Sequence, residues 1–396
     1  MKGYLRNDGR KGIRNVLVVV YTVECAHHVA REIVRSFEGH DIQVIGFPGC
    51  YPNDYARLML ERLCTHPNVG AALLISLGCE CMDKNRLAAA IRESGRPTEL
   101  LTIQAVGGTR TTIEQGRAWV QSTRALLDTQ SPVDMAVSEL VVGTICGGSD
   151  GTSGITGNPA AGRAFDLLIG DGAACIFEET GELIGCEHIM AARANTAELG
   201  QSLIDSVAKA ARYYATLGYG SFAVGNATGG LSTIEEKSLG AYAKSGASPI
   251  SGMLKPGNLP PRGGLYLLDV VPDGEVRFGF PNINDNAEIA ELMACGAHVN
   301  LFVTGRGSVV GSAISPVIKI CANPETYDRM ADDMDVNAGR ILRREASIDE
   351  VGHEIRDLVV SLGEGARTRS EELGHQEFIL TYKSFEPLGP SCLPGG

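Results

Sequence analysis

The chain is poor in aromatics, which make up 6% of its 396 residues, with a single Trp. It also has no long run of like charge, no internal repeat, no low-complexity segment and no apolar stretch long enough to cross a bilayer. Each lack excludes something. A formal net charge of −12 without a basic cluster argues against nucleic acid, whose phosphates need cationic patches. It says nothing against a small anionic substrate, because local charge can oppose net charge. The polar stretch Met1 to Asn15 leads straight into a strand-like run, so no secretory leader, no membrane anchor and a cytoplasmic location are expected. The eleven cysteines are odd in number and lack paired C-x-x-C spacing; Cys79-Glu80-Cys81 is C-x-C. That excludes a zinc ribbon and disfavours a disulfide framework, leaving small buried hydrophobes, metal ligands or reactive thiols. The turn Tyr21 to His27 contains no Gly, so the dinucleotide fingerprint is missing too.

What is present is a length that implies two or three domains and an alternation of strand and helix patterns. Val16 to Val20 is a β-branched run of the kind buried on both faces, followed by helical spacing from Ala26 to Phe37. Ile42 to Phe47, Ala71 to Leu77 and Glu99 to Val106 read as further strands. Asp54 to Leu63, Lys84 to Ser94 and Thr112 to Leu127 read as the helices between and after them. Such β-α units predict a parallel sheet with helices on both faces. The polar stretch Asp128 to Asp134 reads as a linker. The fold class is therefore α/β with two domains: a Rossmann-like parallel sheet over residues 1–132 and a larger α/β C-terminal domain, 133–396, carrying the catalysis. In the second part, Leu140 to Ile145, Ala173 to Phe177, Gly264 to Val271 and His298 to Val303 read as strands. Helices are expected from Asn158 to Ile169, from Ala197 to Thr216, near Ile234, from Asp285 to Cys295 and, behind a capping box at Ser347 to Glu350, through Ser361. The tail, Pro387 to Gly396, reads as irregular.

Polar residues recur just after strands: Cys25, Cys50 and Cys79-Glu80-Cys81 in the first domain, Cys146, Glu179 and Arg306 in the second. In parallel sheets ligands bind beyond the carboxyl ends of the strands, so these residues are expected to line one cleft. Cys146 precedes Gly147-Gly148-Ser149-Asp150, a loop whose backbone N–H groups can face an anion, with a helix start behind it. A thiolate there is a metal ligand or, on the plainer reading, a buried structural Cys before a glycine turn. Glu179, Glu182 and Glu187 follow; they can hold a cation or act as a base, or simply complement a helix dipole. His188 is a weaker ligand candidate. Lys237 and Arg306 suit a substrate carboxylate, the alternatives being a surface helix charge and a solvated loop cation.

These segments together resemble the altronate/galactarate dehydratase family. The matching pieces run in order along nearly the whole chain: Asp8-Gly9-Arg10, Gly12-Ile13-Arg14-Asn15, Gly49-Cys50, His66-Pro67-Asn68, Gly78-Cys79-Glu80, Cys146 to Asn158, Glu179-Thr180-Gly181-Glu182 with Glu187, Gly229-Gly230 through Lys237-Ser238-Leu239-Gly240, and Thr304-Gly305-Arg306-Gly307. The same superfamily includes the large subunit of sulfolactate sulfo-lyase, which shares Cys146, Ser149, Asp150, Glu179, Glu182, Glu187, Thr233 and Lys237. Cys50, Cys79 and Arg306 favour the sugar-acid branch. The resemblance implies a metal-dependent hydro-lyase making a 2-keto-3-deoxy acid, with a carbon–sulfur lyase or a non-catalytic sugar-acid-binding subunit as alternatives. It implies iron as Fe2+, with an iron–sulfur cluster or Mn2+ as alternatives, held by Cys146 and, for a cluster, Cys50 and Cys79. It implies catalytic roles for Glu179, Glu182, Glu187 and Lys237, and substrate contacts from Ser149, Asp150, Asn226 and Arg306. Full-length members begin with a small SAF-type domain, and this chain is expected to start directly at the second domain, so a small SAF-domain subunit and an oligomer are expected.

Overall fold

The computed structural model describes residues 1–37, 41–217, 224–273 and 284–380. Two parallel sheets organise the chain. The first holds β3 (Val16–Tyr21), β4 (Ile42–Gly46), β5 (Val69–Ser76) and β6 (Thr98–Thr102), in the order β4-β3-β5-β6. All of its pairings are parallel. The Val16 run is a strand because alternate members bury on opposite faces. Leu17 and Val19 pack beneath the helices Glu24–Val34 and Thr109–Asp128. Val18 and Val20 face the other side, toward Asp54–Cys64 and Lys84–Glu93. The structure is thus the expected α/β arrangement with helices on both faces.

The second sheet has seven strands: β8 (Val141–Cys146), β9 (Ala174–Phe177), β10 (Ile250–Leu254), β11 (Gly264–Leu268), β12 (Val299–Thr304), β13 (Val317–Cys321) and β14 (Val336–Asn337). Their order is β10-β11-β9-β8-β12-β13-β14, again with parallel pairings throughout. One face packs on helices Gly157–Gly170 and Ile348–Leu362. The other packs on helix Asp285–Ala294, and there the two halves of the chain merge, because Val18, Leu60, Ile91, Ile145 and Leu292 belong to one continuous buried cluster. A small antiparallel ribbon, β1 (Lys2–Leu5) between β2 (Lys11–Gly12) and β7 (Val133–Asp134), closes the junction. The expected linker therefore ends in a strand that returns to the N-terminus.

The junction also explains two of the sequence motifs. Arg14 is buried and clamps Glu371 through two nitrogens at 2.7 and 3.0 Å, while donating to the carbonyls of Leu362 and Ala366. Asn68 accepts from the Ile13 N–H at 2.9 Å and donates to the His298 carbonyl at 3.1 Å. His298 takes the Val141 N–H on Nδ1 and meets the Lys11 carbonyl through Nε2. Burial beside cationic Arg10 pulls His298 down to about 4, so it stays neutral.

Among the described residues, no helix is long and apolar enough to cross a membrane. The segment Pro387 to Gly396 lies outside the described residues.

Candidate active site

Strand order decides where a ligand can sit. In the seven-stranded sheet the chain leaves β8 toward β9 on one side, and β12 lies on the other. Successive connections from these two strands diverge, and a crevice opens where they part. Cys146 is the last residue of β8, and Thr304 the last of β12. The loop between β8 and the helix at Gly157 is stitched to β12: Gly147 donates to the Val303 carbonyl at 3.0 Å, and the Gly148 carbonyl accepts from Gly305 and Arg306 at 3.2 and 2.9 Å.

The Cys146 thiol meets two carboxylates there. One ligand atom each from Cys146, Glu179 and Glu182 lies within 4.8 Å of the others; it is the one group of three or more such donors among the described residues. Glu179 follows β9 with φ at 81°, in the left-handed region that a non-glycine residue enters at a cost of about 1–3 kcal/mol. That conformation aims its carboxylate at the Cys146 N–H, which it accepts at 3.0 Å. Glu182 lies one short 3-10 turn further on, its Oε2 3.7 Å from the Cys146 sulfur.

Two ammonium groups close the constellation. Lys237, inside helix Ile234–Tyr242, contacts Glu182 and stands 3.5 Å from the Cys146 Sγ. Lys244, in the 3-10 turn after that helix, contacts Glu179 and also stands 3.5 Å from the same sulfur. Burial disfavours the charged form of Lys237, but its hydrogen bonds to the Cys146 sulfur and the Glu182 carboxylate, and the field of those groups, outweigh it, so its pKa is raised. Accessibility sorts the groups: the side chains of Lys237, Lys244 and Glu179 are 3%, 0% and 5% exposed, whereas that of Glu182 is 17% exposed. Glu182 is therefore the member that an incoming molecule reaches first.

Lys244 and Asp285 were not among the candidates from sequence. Lys244 had a signal, since it lies seven residues after Lys237 and positions i and i+7 share a helix face. Asp285 had none, because it reads as an ordinary first-turn acid behind the Asn284 cap. In the structure its carboxylate lies over the Gly-rich loop; a Cβ on Gly147 would fall 2.2 Å from Oδ2, so only glycine fits. Burial lifts Asp285 to about 6; the nearby Glu182 charge adds to the shift, and Lys237 and Lys244 oppose it.

The other expected residues fall in different places. Ser149 is buried with Oγ 3.7 Å from the Cys146 Sγ. Asp150 is committed to the fold: Oδ1 accepts from the Thr152 N–H and hydroxyl at 2.8 and 2.5 Å, and Oδ2 from Asn323 Nδ2 at 2.8 Å. Its buried carboxylate shapes the loop rather than offering an open acceptor. Asn226 sits behind the loop, its carbonyl accepting from Gly229 and Leu231. Arg306 is exposed at the tip beyond β12. Glu187 opens the helix Glu187–Ala192 outside the three-donor group, and His188 beside it is exposed.

Cys50 and Cys79 do not join Cys146. They are exposed after β4 and β5 of the other sheet, along with Cys25 and Cys81. The Cys81 N–H donates to the Cys50 carbonyl at 2.9 Å. The matching crevice of that sheet is filled by its own Glu80, which accepts from Thr22, Ser76 and the Gly78 N–H at 2.6, 2.5 and 2.8 Å. The two sheets each present thiols at strand ends, and the three-donor group among the described residues contains neither Cys50 nor Cys79.

Comparison with known proteins agrees with this layout. The D-galactarate/altronate dehydratase C-terminal domain profile matches residues 137–385, which contain the whole constellation, and the second-domain profile of the same enzymes matches residues 3–128. The chain belongs to the D-galactarate/altronate dehydratase family. A (2R)-sulfolactate sulfo-lyase subunit beta from Chromohalobacter salexigens is 34% identical over 96% of both chains. Altronate dehydratase from Bacillus subtilis is 30% identical over 96% of this chain and 77% of its own length. Galactarate dehydratase (L-threo-forming) from Escherichia coli is 30% identical over 94% of this chain and 74% of its own. These relatives of the dehydratase family are lyases by name, and this chain is an enzyme of that class.

Proposed function

We propose that this chain is the catalytic chain of a sugar-acid dehydratase, removing water from a 2,3-dihydroxy acid such as altronate or galactarate to give a 2-keto-3-deoxy acid. The reaction takes the proton from C2, expels hydroxide from C3, and lets the resulting enol tautomerise to the ketone. The observation that carries the reading is the partly open Glu182 held against Lys237 and Cys146 at the crevice of a lyase-family sheet.

Each residue then has a task. Glu182, the reachable carboxylate, is placed to accept the C2 proton. Lys237 offers a fixed positive charge to the substrate carboxylate, whose negative charge grows as the C2 proton leaves. Asp285, lifted toward neutrality, is placed to return a proton to the departing hydroxyl. Glu179 and Lys244 are fully packed behind Cys146 and hold it in place. Ser149 and Arg306 are the remaining substrate contacts; Asn226 and Asp150 act through the loop they support.

The donor set of one thiol and two carboxylates suits a borderline divalent ion such as Fe2+ or Mn2+, and Cys146, Glu179 and Glu182 would hold it. When bound, such an ion supplies Lewis-acid stabilisation of the developing charge and of the leaving hydroxide. The two carboxylates already face two ammonium groups, so a dication is best accommodated as the thiol gives up its proton. A cluster would have needed Cys50 and Cys79 beside Cys146, and their position on the other sheet counts against it.

A carbon–sulfur lyase acting on sulfolactate is the second reading, favoured by the full-length match to a sulfo-lyase subunit. That relative is named as a subunit, and the match spans about three quarters of the length of the dehydratases. The subunit name supports a partner chain, for which a small SAF-domain subunit is the candidate. The test is a panel of aldonates, aldarates and sulfolactate, assayed with Fe2+ or Mn2+, with and without a candidate small subunit. Formation of 2-keto acid without sulfite is expected. Sulfite release from sulfolactate with no turnover of sugar acids would overturn the dehydratase reading.

A further inference from the structure

Free cysteine is among the most buried of residue types, and an exposed one is more often kept for its reactivity than for its packing. Among the described residues, the exposed cysteines are Cys25, Cys50, Cys79 and Cys81, and all four lie at one place, the carboxyl edge of the first sheet. The other described cysteines are buried.

Strand register sets three of them in a row. Tyr21 of β3 pairs with Gly46 of β4 on one side and with Ile75 of β5 on the other. Cys25, Cys50 and Cys79 each stand four residues beyond that row. Hydrogen bonds then lace the three loops together. The Glu24 N–H donates to the Pro48 carbonyl at 3.0 Å, joining the loops after β3 and β4. The Thr22 hydroxyl donates to the Glu80 carboxylate at 2.6 Å, joining those after β3 and β5. The Cys81 N–H donates to the Cys50 carbonyl at 2.9 Å. Because β3 lies between β4 and β5, this last bond forms only where the two outer loops bend toward each other across the end of β3. Glu80 turns its carboxylate inward to Thr22, Ser76 and the Gly78 N–H, while Cys79 and Cys81 on either side of it are exposed.

Three helices begin at the same edge, Glu24–Val34, Asp54–Cys64 and Lys84–Glu93, and Cys25 lies in the first turn of one of them. The positive ends of helix dipoles favour thiolate over thiol, and thiolate is the form that binds metal. A set of thiolates selects a soft occupant: zinc, cuprous copper or an iron–sulfur cluster. A single ion draws its ligand atoms closely around it. Among the described residues, the one group of three donors within 4.8 Å of each other is at Cys146, not at this edge. A cluster holds its thiolates further apart, since they are shared among several irons, and four cysteines are its usual complement.

We propose that Cys25, Cys50, Cys79 and Cys81 hold an iron–sulfur cluster at the carboxyl edge of the first sheet, a site separate from the Cys146 group. The proposal does not rest on the dehydratase reading, and the two can fail independently. Position on the other sheet keeps these thiols away from Cys146, and the same position brings them to one another.

The test uses the full chain, purified without oxygen and reconstituted with Fe2+ and sulfide. Iron and acid-labile sulfide in equal amounts are expected, with a broad visible absorption that bleaches when dithionite reduces the cluster. Cys25→Ser and Cys50→Ser are expected to lose most of the sulfide and of the absorption. Both positions are exposed, so the fold should survive, as far-ultraviolet circular dichroism can verify. Cys146→Ser is expected to keep the sulfide and the absorption, which separates this site from the active site. Reconstituted protein without labile sulfide overturns the proposal. So does sulfide that survives the Cys25→Ser/Cys50→Ser double variant, or that disappears with Cys146→Ser. Zinc taken up at these thiols without sulfide, or a disulfide joining Cys50 to Cys81 in the reconstituted protein, overturns it as well.

Discussion

Replacing Lys244 by Met tests whether the buried charges are coupled as the structure indicates. The ammonium of Lys244 is fully enclosed, and its partner Glu179 has a side chain only 5% exposed. Removing one member of a buried pair strands the other charge, typically at about 3–5 kcal/mol. Glu179 retains the Cys146 N–H, and Met nearly conserves the volume, so a loss near the lower figure, about 3 kcal/mol, is expected. The double variant Lys244→Met/Glu179→Gln keeps an acceptor for that N–H and carries no charge. It should therefore be more stable than Lys244→Met alone by about 2 kcal/mol, a coupling that only interacting groups show. Urea unfolding followed by far-ultraviolet circular dichroism measures this, and the single Trp119 on helix Thr109–Asp128 reports the N-terminal half separately by fluorescence. A Lys244→Met midpoint within about 1 kcal/mol of the parent, or a double variant no better than the single one, would refute the coupling.

Cys146→Ser should weaken Mn2+ or Fe2+ binding, measured by calorimetry on the anaerobic protein, at least tenfold (about 1.4 kcal/mol) and abolish the proton release that accompanies it; unchanged affinity removes Cys146 from the ligand set. Asp285 is an acid whose folded value, about 6, lies above its ordinary 3.8. The folded state therefore holds the proton more tightly, and stability falls as pH rises through that window, by up to about 3 kcal/mol above it. Asp285→Asn should raise the urea midpoint at pH 7.5, lose that gain at about pH 4, and depress turnover; a midpoint unchanged at both pH values contradicts this. His298 is a base whose folded value, about 4, lies below its ordinary 6.5. The stability it contributes is complete above the upper value and is lost as pH falls toward the lower one, again up to about 3 kcal/mol. His298→Gln can replace one acceptor and one donor, so it should flatten the pH dependence between those values, as read from unfolding midpoints.

The central strands were legible because strands buried on both faces are written as unbroken apolar runs, as at Val16 to Val20. The strands that escaped are those whose existence depends on a neighbour. Lys2–Leu5, Lys11–Gly12 and Val133–Asp134 are short and polar and form only by pairing with one another. Val317–Cys321 was hidden by Lys319, a buried lysine in mid-strand that meets His375 Nδ1 at 3.1 Å. Glu99 to Val106 reads as one strand, but it turns into a short helix at Ile103. In the site, Cys146, Glu179, Glu182 and Lys237 could be picked out because each follows a strand or lies in a motif. Lys244 was passed over although its spacing from Lys237 was a signal, and Asp285 could not be placed, because its contact arises only when a distant segment meets the Gly-rich loop. Cys50 and Cys79 follow strands that the sequence already assigned to the first sheet; what it could not show is whether the strand ends of the two sheets converge.

The Arg14 clamp has a consequence for the life of the chain outside the reaction. Its partners, Leu362, Ala366 and Glu371, are synthesised 348, 352 and 357 residues after it. A nascent N-terminal half leaving the ribosome therefore carries a guanidinium whose burial site does not yet exist. Closing so long a loop is entropically slow, so the early half must wait, with part of its surface uncovered, for the helices Ile348–Leu362 and Arg369–Leu373. A protease or a premature stop that removes residues beyond about Leu362 would strand that cation at the junction of the two halves. Quality control of this protein is thus expected to sense the presence of residues 362–371 through the state of Arg14.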